Sequence, residues 1–437
     1  MREIIVIDDV PPEANAMLQA LYSRSPKSVK EHLEQVKTSG SEKFMANYYV
    51  GYGHKSIGDC GTTSLFIENV SMLGAKAVQD WALYNGQEAS TRYLDMSQQE
   101  FLNPLGTREG AEIQSEWRRF YIHALETLIP VLKERFPMKP EEKEKIYEKA
   151  IKARAFDIAR GFLPAGATTY VSWHTNLRQA SDHLKEMRHH PLEEIRQIAN
   201  EIVDALKQKY QSSFSHKEYP TEEEYLAKSA TAFAYFDMPT IDGFTYQLRL
   251  DLAGLHKHQQ LLTERPAKAE LHQRFRQYGD IAFSFPLDFG SYRDLQRQRS
   301  AVQEMPLLST RHGFEPWYLE QLPEGLRNEA VTFLNAQQKR IEQLVASDET
   351  KQYYVGMGYT IAVQMTCTLP AAVYIAELRS ADTVHPTLRI QAQRMGDALL
   401  AAVPGLAMHH DTSPGTWNIK RGNQDIVRKD SEAVMAA

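Results

Sequence analysis

The sequence predicts an α+β fold that is rich in helices and contains small antiparallel sheets. Helical periodicity dominates the chain, while runs with strand character are short. Two blocks of sequence recur in the same order in the second half, so the same fold is expected twice. A length of 437 residues also exceeds what one hydrophobic core usually organises. We therefore expect two tandem domains, residues 1–222 and 223–437.

Four segments place apolar residues on one stripe of a helix. They are residues 141–161, 191–209, 325–346 and 387–402. In the first of them Ile151, Ala155 and Ile158 share a face, with charges opposite. The second opens with Pro191 and two glutamates, which is typical of a helix start. These patterns predict four amphipathic helices.

Four shorter apolar runs have strand character. They are residues 3–7, 64–70, 281–286 and 353–362. Their length and apolar content favour short buried strands over helices. Residues 211–224 are rich in Ser, Glu and Tyr, and this composition predicts a linker between the halves.

Two blocks carry the internal repeat. Glu186 and Arg188 match Glu377 and Arg379 at one offset of 191 residues (377 − 186). Earlier in the first half, a Gln-Glu pair at Gln87 is followed by Ser-Thr-Arg, and the second half repeats this with three extra residues. A single Glu-x-Arg match is common by chance, but two blocks in the same order indicate an internal duplication.

The composition is that of an ordinary globular protein, with 42% hydrophobic and 24% charged residues. A net charge of -6 argues against binding to nucleic acid or membranes through bulk electrostatics. Cys60 and Cys367 are too few for a metal cluster or a disulfide framework, and favour buried thiols in a reducing compartment. No stretch approaches the roughly 20 apolar residues of a membrane span. We therefore expect a cytoplasmic protein without a metal site.

Residues 87–93, Gln-Glu-Ala-Ser-Thr-Arg-Tyr, contain groups that suit a phosphate. Ser90 and Thr91 offer hydroxyls, and Arg92 offers a guanidinium that binds oxyanions through two hydrogen bonds. The same residues also fit a helix N-cap followed by a structural ion pair. Taken alone, the segment leaves both interpretations open.

The order of motifs in the first half resembles that of the flavin-dependent thymidylate synthases. The end of the family signature is present as Gln87, Glu88, Ser90, Arg92 and Tyr93, with Gln87 in place of the family's Asn. Further resemblances are Gly53-His54-Lys55-Ser56, Ala159-Arg160-Gly161-Phe162-Leu163-Pro164, Thr175-Asn176-Leu177-Arg178 and Glu186-Met187-Arg188. The resemblance covers most of the first half, and the order of motifs is more specific than any one of them. It implies two tandem thymidylate synthase-complementing-like domains.

The two halves depart from the family at different positions. No arginine lies between Lys76 and Thr91, so the first half lacks the Arg-His-Arg stretch of the family. The second half has a similar stretch at residues 292–299, in which Gln298 replaces the His, and it keeps Arg379 but lacks the Asn-x-Arg motif. The family assembles each site from several subunits of a tetramer. The resemblance therefore implies a homodimer whose four domains form a pseudo-tetramer.

The resemblance implies an enzyme that methylates a uridylate, converting dUMP to dTMP, with methylenetetrahydrofolate, NADPH and reduced FAD. It implies that Arg188 or Arg379 pairs with the pyrimidine and acts in catalysis. The implied nucleotide contacts come from Gln87, Glu88, Ser90, Arg92, Tyr93 and Arg160. The implied FAD contacts come from His54, Ser56, Asn176, Arg178, Gln296, Arg297 and Arg299.

Two alternatives stay open at this stage. The first is a flavin-free nucleotide-binding or scaffold protein of the same fold, which the missing Arg-His-Arg and the Gln298 substitution favour. The second is an enzyme that modifies another pyrimidine nucleotide.

The spacing of Arg297 and Arg299 suits a strand, in which alternate residues share a face. We therefore expect FAD, when bound, to lie against both arginines and to reach Arg92 of the same chain or its partner. Asp80, in the corresponding stretch of the first half, would repel a pyrophosphate or a reduced flavin.

Overall fold

The structure is a computed structural model that describes residues 5, 7, 9–415, 417 and 419–423. The strand predicted over residues 3–7 falls mostly outside this part of the chain. No helix within the described ranges combines the length and the apolar character that crossing a membrane requires.

The part of the chain up to residue 233 is mostly helical. In chain order its elements are α1 Pro12–Tyr22, α2 Val29–Ser39, α3 Glu42–Phe44, α4 Lys55–Gly58, β1 Thr62–Ser71, α5 Met72–Gln79, α6 Arg108–Arg135, α7 Glu144–Ala159, β2 Thr168–Asn176, α8 Leu177–Met187, α9 Glu193–Lys209 and α10 Pro220–Phe233. A π-helix spans Met45–Gly51, and a 3₁₀ turn spans Arg160–Phe162.

The remainder contains four strands and eight helices among the described residues. These are β3 Thr245–Leu250, α11 Leu252–His256, α12 Gln259–Thr263, β4 Gly279–Asp288, α13 Phe289–Leu295, β5 Ala301–Gln303, α14 Pro316–Glu320, α15 Glu324–Gln343, α16 Asp348–Lys351, β6 Thr360–Thr368, α17 Leu369–Arg379 and α18 Pro386–Ala402. The 3₁₀ turns here are Gln273–Tyr278, Gln352–Tyr354 and Ile419–Asn423.

The predicted α+β fold with small sheets is confirmed. Strands β1 and β2 form a two-stranded sheet, and a four-stranded sheet has the order β3-β4-β6-β5 with antiparallel pairing. The four predicted helices correspond to α7, α9, α15 and α18, and two predicted strands correspond to β1 and β4. The strand prediction for 353–362 is wrong in its first part, where a 3₁₀ turn precedes β6. The linker predicted at 211–224 is shorter, because α10 begins at Pro220.

The chain divides into two compact units. The first unit comprises the chain up to Val70, Gly74–Glu88 and Tyr170–Ala234. The second unit comprises Ser71–Leu73, Ala89–Thr169 and the chain from Tyr235 onward. This division differs from a single boundary at 222/223, because helices α6 and α7 of the first sequence half belong to the second unit.

Secondary-structure elements of the two sequence halves repeat in order and length. A 3₁₀ turn, a nine-residue strand (β2 or β6) and an eleven-residue helix (α8 or α17) follow one another in each half. Strand β6 begins 192 residues after β2 (360 − 168). At this offset Arg379 corresponds to Met187, one residue away from the match with Arg188. The repetition supports the internal duplication, which stays a proposal.

Strand β4 organises the core of the four-stranded sheet. It pairs with β3 on one side and β6 on the other. Its residues Ile281, Phe283, Phe285 and Leu287 alternate along the strand and are all buried. This period of two places one apolar face of the strand in the core of the second unit.

The junction between β4 and α13 fixes the start of helix α13. Asp288 caps α13, because its carboxylate accepts a hydrogen bond from the Ser291 backbone N–H at 2.8 Å. Helix α13 then ends at Leu295, and a turn over residues 296–300 leads to β5. Asp294 therefore lies in the last turn of a helix whose start is anchored in the core.

Candidate functional site

A pocket of about 210 Å³ lies within the second unit. It is lined by Ser90, Arg92, Tyr93, Asp294, Arg297, Arg379, Thr383 and Val384. Five of these eight residues were proposed from the sequence, three from the first half and two from the second. The fold therefore brings the residues around Arg92 together with two arginines that lie 205 and 287 residues further along the chain (297 − 92 and 379 − 92).

Arg92 is fixed by a buried carboxylate. Its Nε donates to Asp157 Oδ1 at 2.6 Å, and its Nη2 donates to Oδ2 at 3.2 Å and to the Thr383 carbonyl at 3.2 Å. Within the described part of the chain, Nη1 makes no hydrogen bond. The Arg92 backbone N–H donates to Ser90 Oγ at 3.3 Å, which forms a local turn. Arg92 thus offers one free nitrogen of a guanidinium whose position is set by the protein.

Asp157 stays charged although its side chain is completely buried. Burial alone would raise the pKa of Asp157, but the positive charges of Arg92 and Arg421 outweigh it and hold the pKa well below its usual range. Arg421 pairs with both carboxylate oxygens, including a contact from Nη2 to Oδ1 at 3.3 Å. One carboxylate therefore holds two guanidiniums.

Two arginines from the second half of the sequence surround Asp294. Arg379 Nη2 donates to the Asp294 carbonyl oxygen at 2.9 Å, and Arg297 Nη1 lies 3.7 Å from Asp294 Oδ1. The Arg297 side chain is 41% exposed and makes no hydrogen bond to the described residues. Burial would raise the pKa of the Asp294 carboxyl, but the charges of Arg297 and Arg160 lower it, so this carboxylate is ionised.

The lining of the pocket carries more positive than negative charge. Arg92, Arg297 and Arg379 supply three cations, and Asp294 supplies one anion. Burial lowers the pKa of Arg379, and the neighbouring charges of Arg297 and Arg92 act in the same direction, against the opposite effect of Asp294. Guanidiniums that repel one another are stabilised by an anion placed between them. The arrangement therefore suits a phosphate or a carboxylate.

Arg160 is not among the residues that line this pocket. Its side chain is 1% exposed, and it donates to Ser291 Oγ at 2.7 Å and to the Tyr318 hydroxyl at 3.3 Å. Its Nη1 also lies 3.5 Å from Asp294 Oδ2. In this structure Arg160 positions a pocket carboxylate rather than facing the pocket.

A buried polar network continues from Arg160. The Tyr318 hydroxyl donates to Asp288 Oδ2 at 2.7 Å, and Ser291 Oγ lies 2.7 Å from the Thr387 hydroxyl and 3.1 Å from His385 Nδ1. Burial and then the charge of Arg160 hold the pKa of His385 well below its usual range, so the imidazole is neutral. Ser291 and His385 are both fully buried. A substrate therefore has no access to this serine, and the network is structural.

Glu88 has a structural role in the first unit. Its Oε2 lies 3.0 Å from Lys76 Nζ, with both side chains 1% exposed, and accepts a hydrogen bond from Gln79 Nε2 at 2.9 Å. The backbone of Gln87 pairs with Ser172, whose N–H donates to the Gln87 carbonyl at 2.8 Å. For Glu88 the structure thus favours the ion-pair interpretation over a nucleotide contact.

Four residues implied to contact FAD lie in the first unit. Arg178 Nη1 donates to Asp59 Oδ2 at 2.7 Å, and Asn176 caps α8 by accepting a backbone hydrogen bond at 2.8 Å. His54 Nδ1 is buried and has no hydrogen-bond partner among the described residues. Ser56 lies on α4 and is exposed. Two of the four side chains are thus engaged within the protein.

The two arginines implied to act in catalysis have different surroundings. Arg188 lies in the first unit and donates to Glu218 at 2.6 Å and to Glu223 at 3.3 Å. Arg379 lines the pocket in the second unit.

The strand predicted at Arg297 and Arg299 is absent, and this prediction is wrong. Both residues lie in the turn between α13 and β5, because α13 starts at the Asp288 cap and runs to Leu295. In a turn, residues two apart need not share a face. Arg297 reaches the pocket, whereas the half-buried Arg299 and the buried Gln296 are not among its lining residues.

Four further residues shape the site and were not singled out from the sequence: Asp157, Asp294, Thr383 and Arg421. One feature of the sequence could have pointed to Asp157: it is a carboxylate beside Ile158, on the apolar stripe of α7. Arg421 carried none, since it lies 264 residues from the carboxylate that it binds.

Comparisons with known proteins bear on the first half and on the whole chain. Residues 6–210 match the family model described as thymidylate synthase complementing protein. The chain is 27% identical over 398 residues to a UPF0159 protein of Chlamydia pneumoniae, which covers 77% of this chain and 74% of the relative. It is 22% identical over 475 residues to a UPF0159 protein of Thermoplasma acidophilum, covering 89% of this chain and 93% of the relative.

Proposed function

Because residues 6–210 belong to the thymidylate synthase complementing protein family, we propose that the pocket at Arg92 binds the phosphate of a pyrimidine nucleotide and that the protein methylates a uridylate. The convergence of three guanidiniums, those of Arg92, Arg297 and Arg379, on one small pocket carries this proposal. Guanidinium groups are suited to phosphate because they form two parallel hydrogen bonds with its oxygens.

Each group has a distinct part in the proposal. Arg92 donates to the phosphate through Nη1, while Asp157 holds the rest of the guanidinium in place. The hydroxyl of Ser90 adds a neutral donor next to it in the chain. Arg379 pairs with the pyrimidine and stabilises its electron-rich form. Asp294 contacts Arg379 through its carbonyl oxygen and Arg297 through its carboxylate, and so holds both beside the ligand.

The size of the pocket limits what it encloses. Its volume of about 210 Å³ is below the roughly 300–1,000 Å³ of pockets that enclose a whole small molecule. It suits a phosphate and part of a sugar. The rest of a nucleotide bound here would extend from the pocket, with its base against Arg379 of the lining.

FAD, when bound, would supply the hydride for transfer of one carbon from methylenetetrahydrofolate, with NADPH as the reductant. Arg297 fits this group, because its guanidinium is 41% exposed and without a hydrogen bond among the described residues. His54 also fits, through its buried Nδ1. Arg178 and Asn176 would have to exchange existing bonds to take part.

A flavin-free nucleotide-binding protein of the same fold is the second candidate. The buried pair of Glu88 with Lys76 favours it, because one residue of the family signature is then withdrawn from ligand binding. The acidic Asp80, in a stretch where the family has arginines, favours it as well.

We also propose that the chain forms a homodimer with four similar domains. The repeated elements of the two halves support it, since a duplicated chain needs two copies to present four domains. Light scattering of the purified protein tests this directly, and a monomeric mass would contradict it.

The main experiment compares dUMP with deoxyuridine by titration calorimetry, using the wild type, Arg92→Gln and a control, Arg118→Gln. Arg118 is a matched control because it also lies in the second unit and stacks on an aromatic ring, that of Phe101, at 4.8 Å. We expect dUMP to bind far more tightly than deoxyuridine, and only Arg92→Gln to remove the difference.

Thymidylate formation is then measured by mass spectrometry with FAD, NADPH and methylenetetrahydrofolate present. Thymidylate production supports the enzyme. Tight binding of dUMP without thymidylate would leave the second candidate. Failure of dUMP to bind at all would refute both.

A further inference from the structure

A second cavity in the second unit has a volume of about 260 Å³. Among the described residues, its lining includes Arg154, Arg389, Arg421, Trp317 and Trp417. Three guanidiniums and two indoles around one cavity are an uncommon combination. The three arginines differ in whether a carboxylate lies close enough to form an ion pair with them.

Arg154 is the arginine that no carboxylate of the described residues neutralises. Its Nη2 donates to Gln321 Oε1 at 3.1 Å, and its guanidinium lies 5.2 Å from the centre of the Trp317 ring. Its Nε is buried without a hydrogen-bond partner in the described part of the chain. Burying a charge without a counter-ion is costly. A bound anion would remove this cost.

The other two arginines form ion pairs with carboxylates, although Arg421 shares its carboxylate with Arg92. Arg389 Nη2 lies 3.0 Å from Asp411 Oδ2, and Arg421 pairs with Asp157. The exposed Asp382 also lines the cavity but forms no ion pair with Arg154. The lining thus carries three guanidiniums against one carboxylate, and Arg154 is the lining arginine that forms no ion pair among the described residues.

The surroundings of Arg154 disfavour its protonated form. Burial is the largest effect and lowers the pKa of Arg154. The charge of Asp157 opposes it, and the charge of Arg421 lowers the pKa further. An arginine stays protonated under such conditions. It therefore remains a cation that gains from an added anion.

The two indoles give the cavity flat apolar walls. Trp317 contacts the His385 ring at 4.6 Å in an edge arrangement, and Trp417 stacks on Phe136 at 4.7 Å with an angle of 8° between the rings. Both indoles are thus held by neighbouring aromatic rings. Rigid aromatic walls favour a planar ligand.

We propose that this cavity binds a small aromatic oxyanion, with its carboxylate or phosphate on Arg154 and its planar ring against Trp317 and Trp417. The site is distinct from the pocket at Arg92, with which it shares the lining residue Val384. It does not depend on the proposed methylation of a uridylate.

Titration calorimetry on the full chain tests the proposal with four probes: phenyl phosphate, benzoate, inorganic phosphate and benzyl alcohol. The variants are Arg154→Gln, Arg154→Lys and, as the control, Arg118→Gln. Phenyl phosphate or benzoate is expected to bind more tightly than inorganic phosphate and benzyl alcohol, which lack the ring or the charge. Whichever of the first two binds more tightly identifies the oxyanion.

Arg154→Gln should weaken the tighter probe about tenfold or more, as expected for loss of a charged hydrogen bond. Arg154→Lys should restore part of the affinity, and Arg118→Gln should leave it unchanged. Quenching of indole fluorescence by the probe, reduced in Trp317→Phe, provides a second measurement if Arg154→Gln unfolds. Equal binding to wild type and Arg154→Gln, or a preference for inorganic phosphate over both aromatic probes, would overturn the proposal.

Discussion

Arg92 donates two hydrogen bonds to Asp157, a carboxylate with no exposed surface, and the arginine itself is only 12% exposed. The same carboxylate binds Arg421 from the end of the described chain. The guanidinium that we assign to the phosphate is thus held by an ion pair that water does not reach. The position of Arg92 in the pocket therefore depends on Asp157, a residue that does not line the pocket.

Asp157→Asn should destabilise the protein by about 3–5 kcal/mol, because it leaves two largely buried guanidiniums without their counter-ion. Urea denaturation near neutral pH measures this. The exposed pair of Glu224 with Lys228 provides the control, and Glu224→Gln should cost less than about 1 kcal/mol. Comparable losses in the two variants would contradict the assignment.

The stabilising effect of Asp157 should depend on pH. Its pKa in the folded protein lies well below the usual range, whereas in the unfolded chain it is about 3.9. A group with a lowered folded pKa contributes its full stability above the unfolded pKa and loses it as the pH falls toward the folded pKa. The stability difference between wild type and Asp157→Asn should be constant above about pH 5 and shrink below about pH 4. A difference that grows on acidification would exclude this mechanism.

Arg297→Ala should reduce FAD uptake strongly, and Arg299→Ala should reduce it less, because only Arg297 lines the pocket. Asp80→Ala should leave uptake intact. Titration of flavin fluorescence with each variant measures the dissociation constants. Equal effects of the two arginine variants would indicate that both arginines contact the flavin, as the original strand prediction implied.

Arg379→Ala should weaken dUMP binding by about 1.5–3 kcal/mol, the range for a charged hydrogen bond. Arg188→Ala should have a smaller effect, since Glu218 and Glu223 already hold its guanidinium. Calorimetric titration of each variant with dUMP gives the two dissociation constants that this prediction compares. A larger effect of Arg188→Ala would assign the pyrimidine contact to the first unit.

Lys76→Met should destabilise the protein by about 3–5 kcal/mol, because it leaves the carboxylate of Glu88 buried without its cation. The double variant Lys76→Met with Glu88→Gln should recover part of this loss. Thermal and urea unfolding of both variants gives the comparison. A double variant less stable than Lys76→Met alone would mean that Glu88 has a role beyond this pair.

The sequence by itself determined the positions of helices α7, α9, α15 and α18 and of strands β1 and β4, because amphipathic periodicity records which face of an element is buried. It did not predict α6, the longest helix among the described residues. It also identified Ser90, Arg92, Tyr93, Arg297 and Arg379, which the fold brings to one pocket. The resemblance of the motifs to the flavin-dependent thymidylate synthases was needed here, since the local chemistry of residues 87–93 alone left a structural ion pair open as well.

Only the tertiary structure decided which charged side chains form ion pairs within the protein and which stay available to a ligand. Glu88 and Arg92 belong to the same motif. Glu88 forms a buried ion pair with Lys76, whereas Arg92 keeps Nη1 without a hydrogen bond among the described residues. The partners of these residues include Asp157, 65 residues from Arg92. No local pattern encodes such a distant pairing, because it results from the packing of α7 and not from the spacing of residues along the chain. The same holds for Arg154, because only the tertiary structure shows that it forms no ion pair among the described residues.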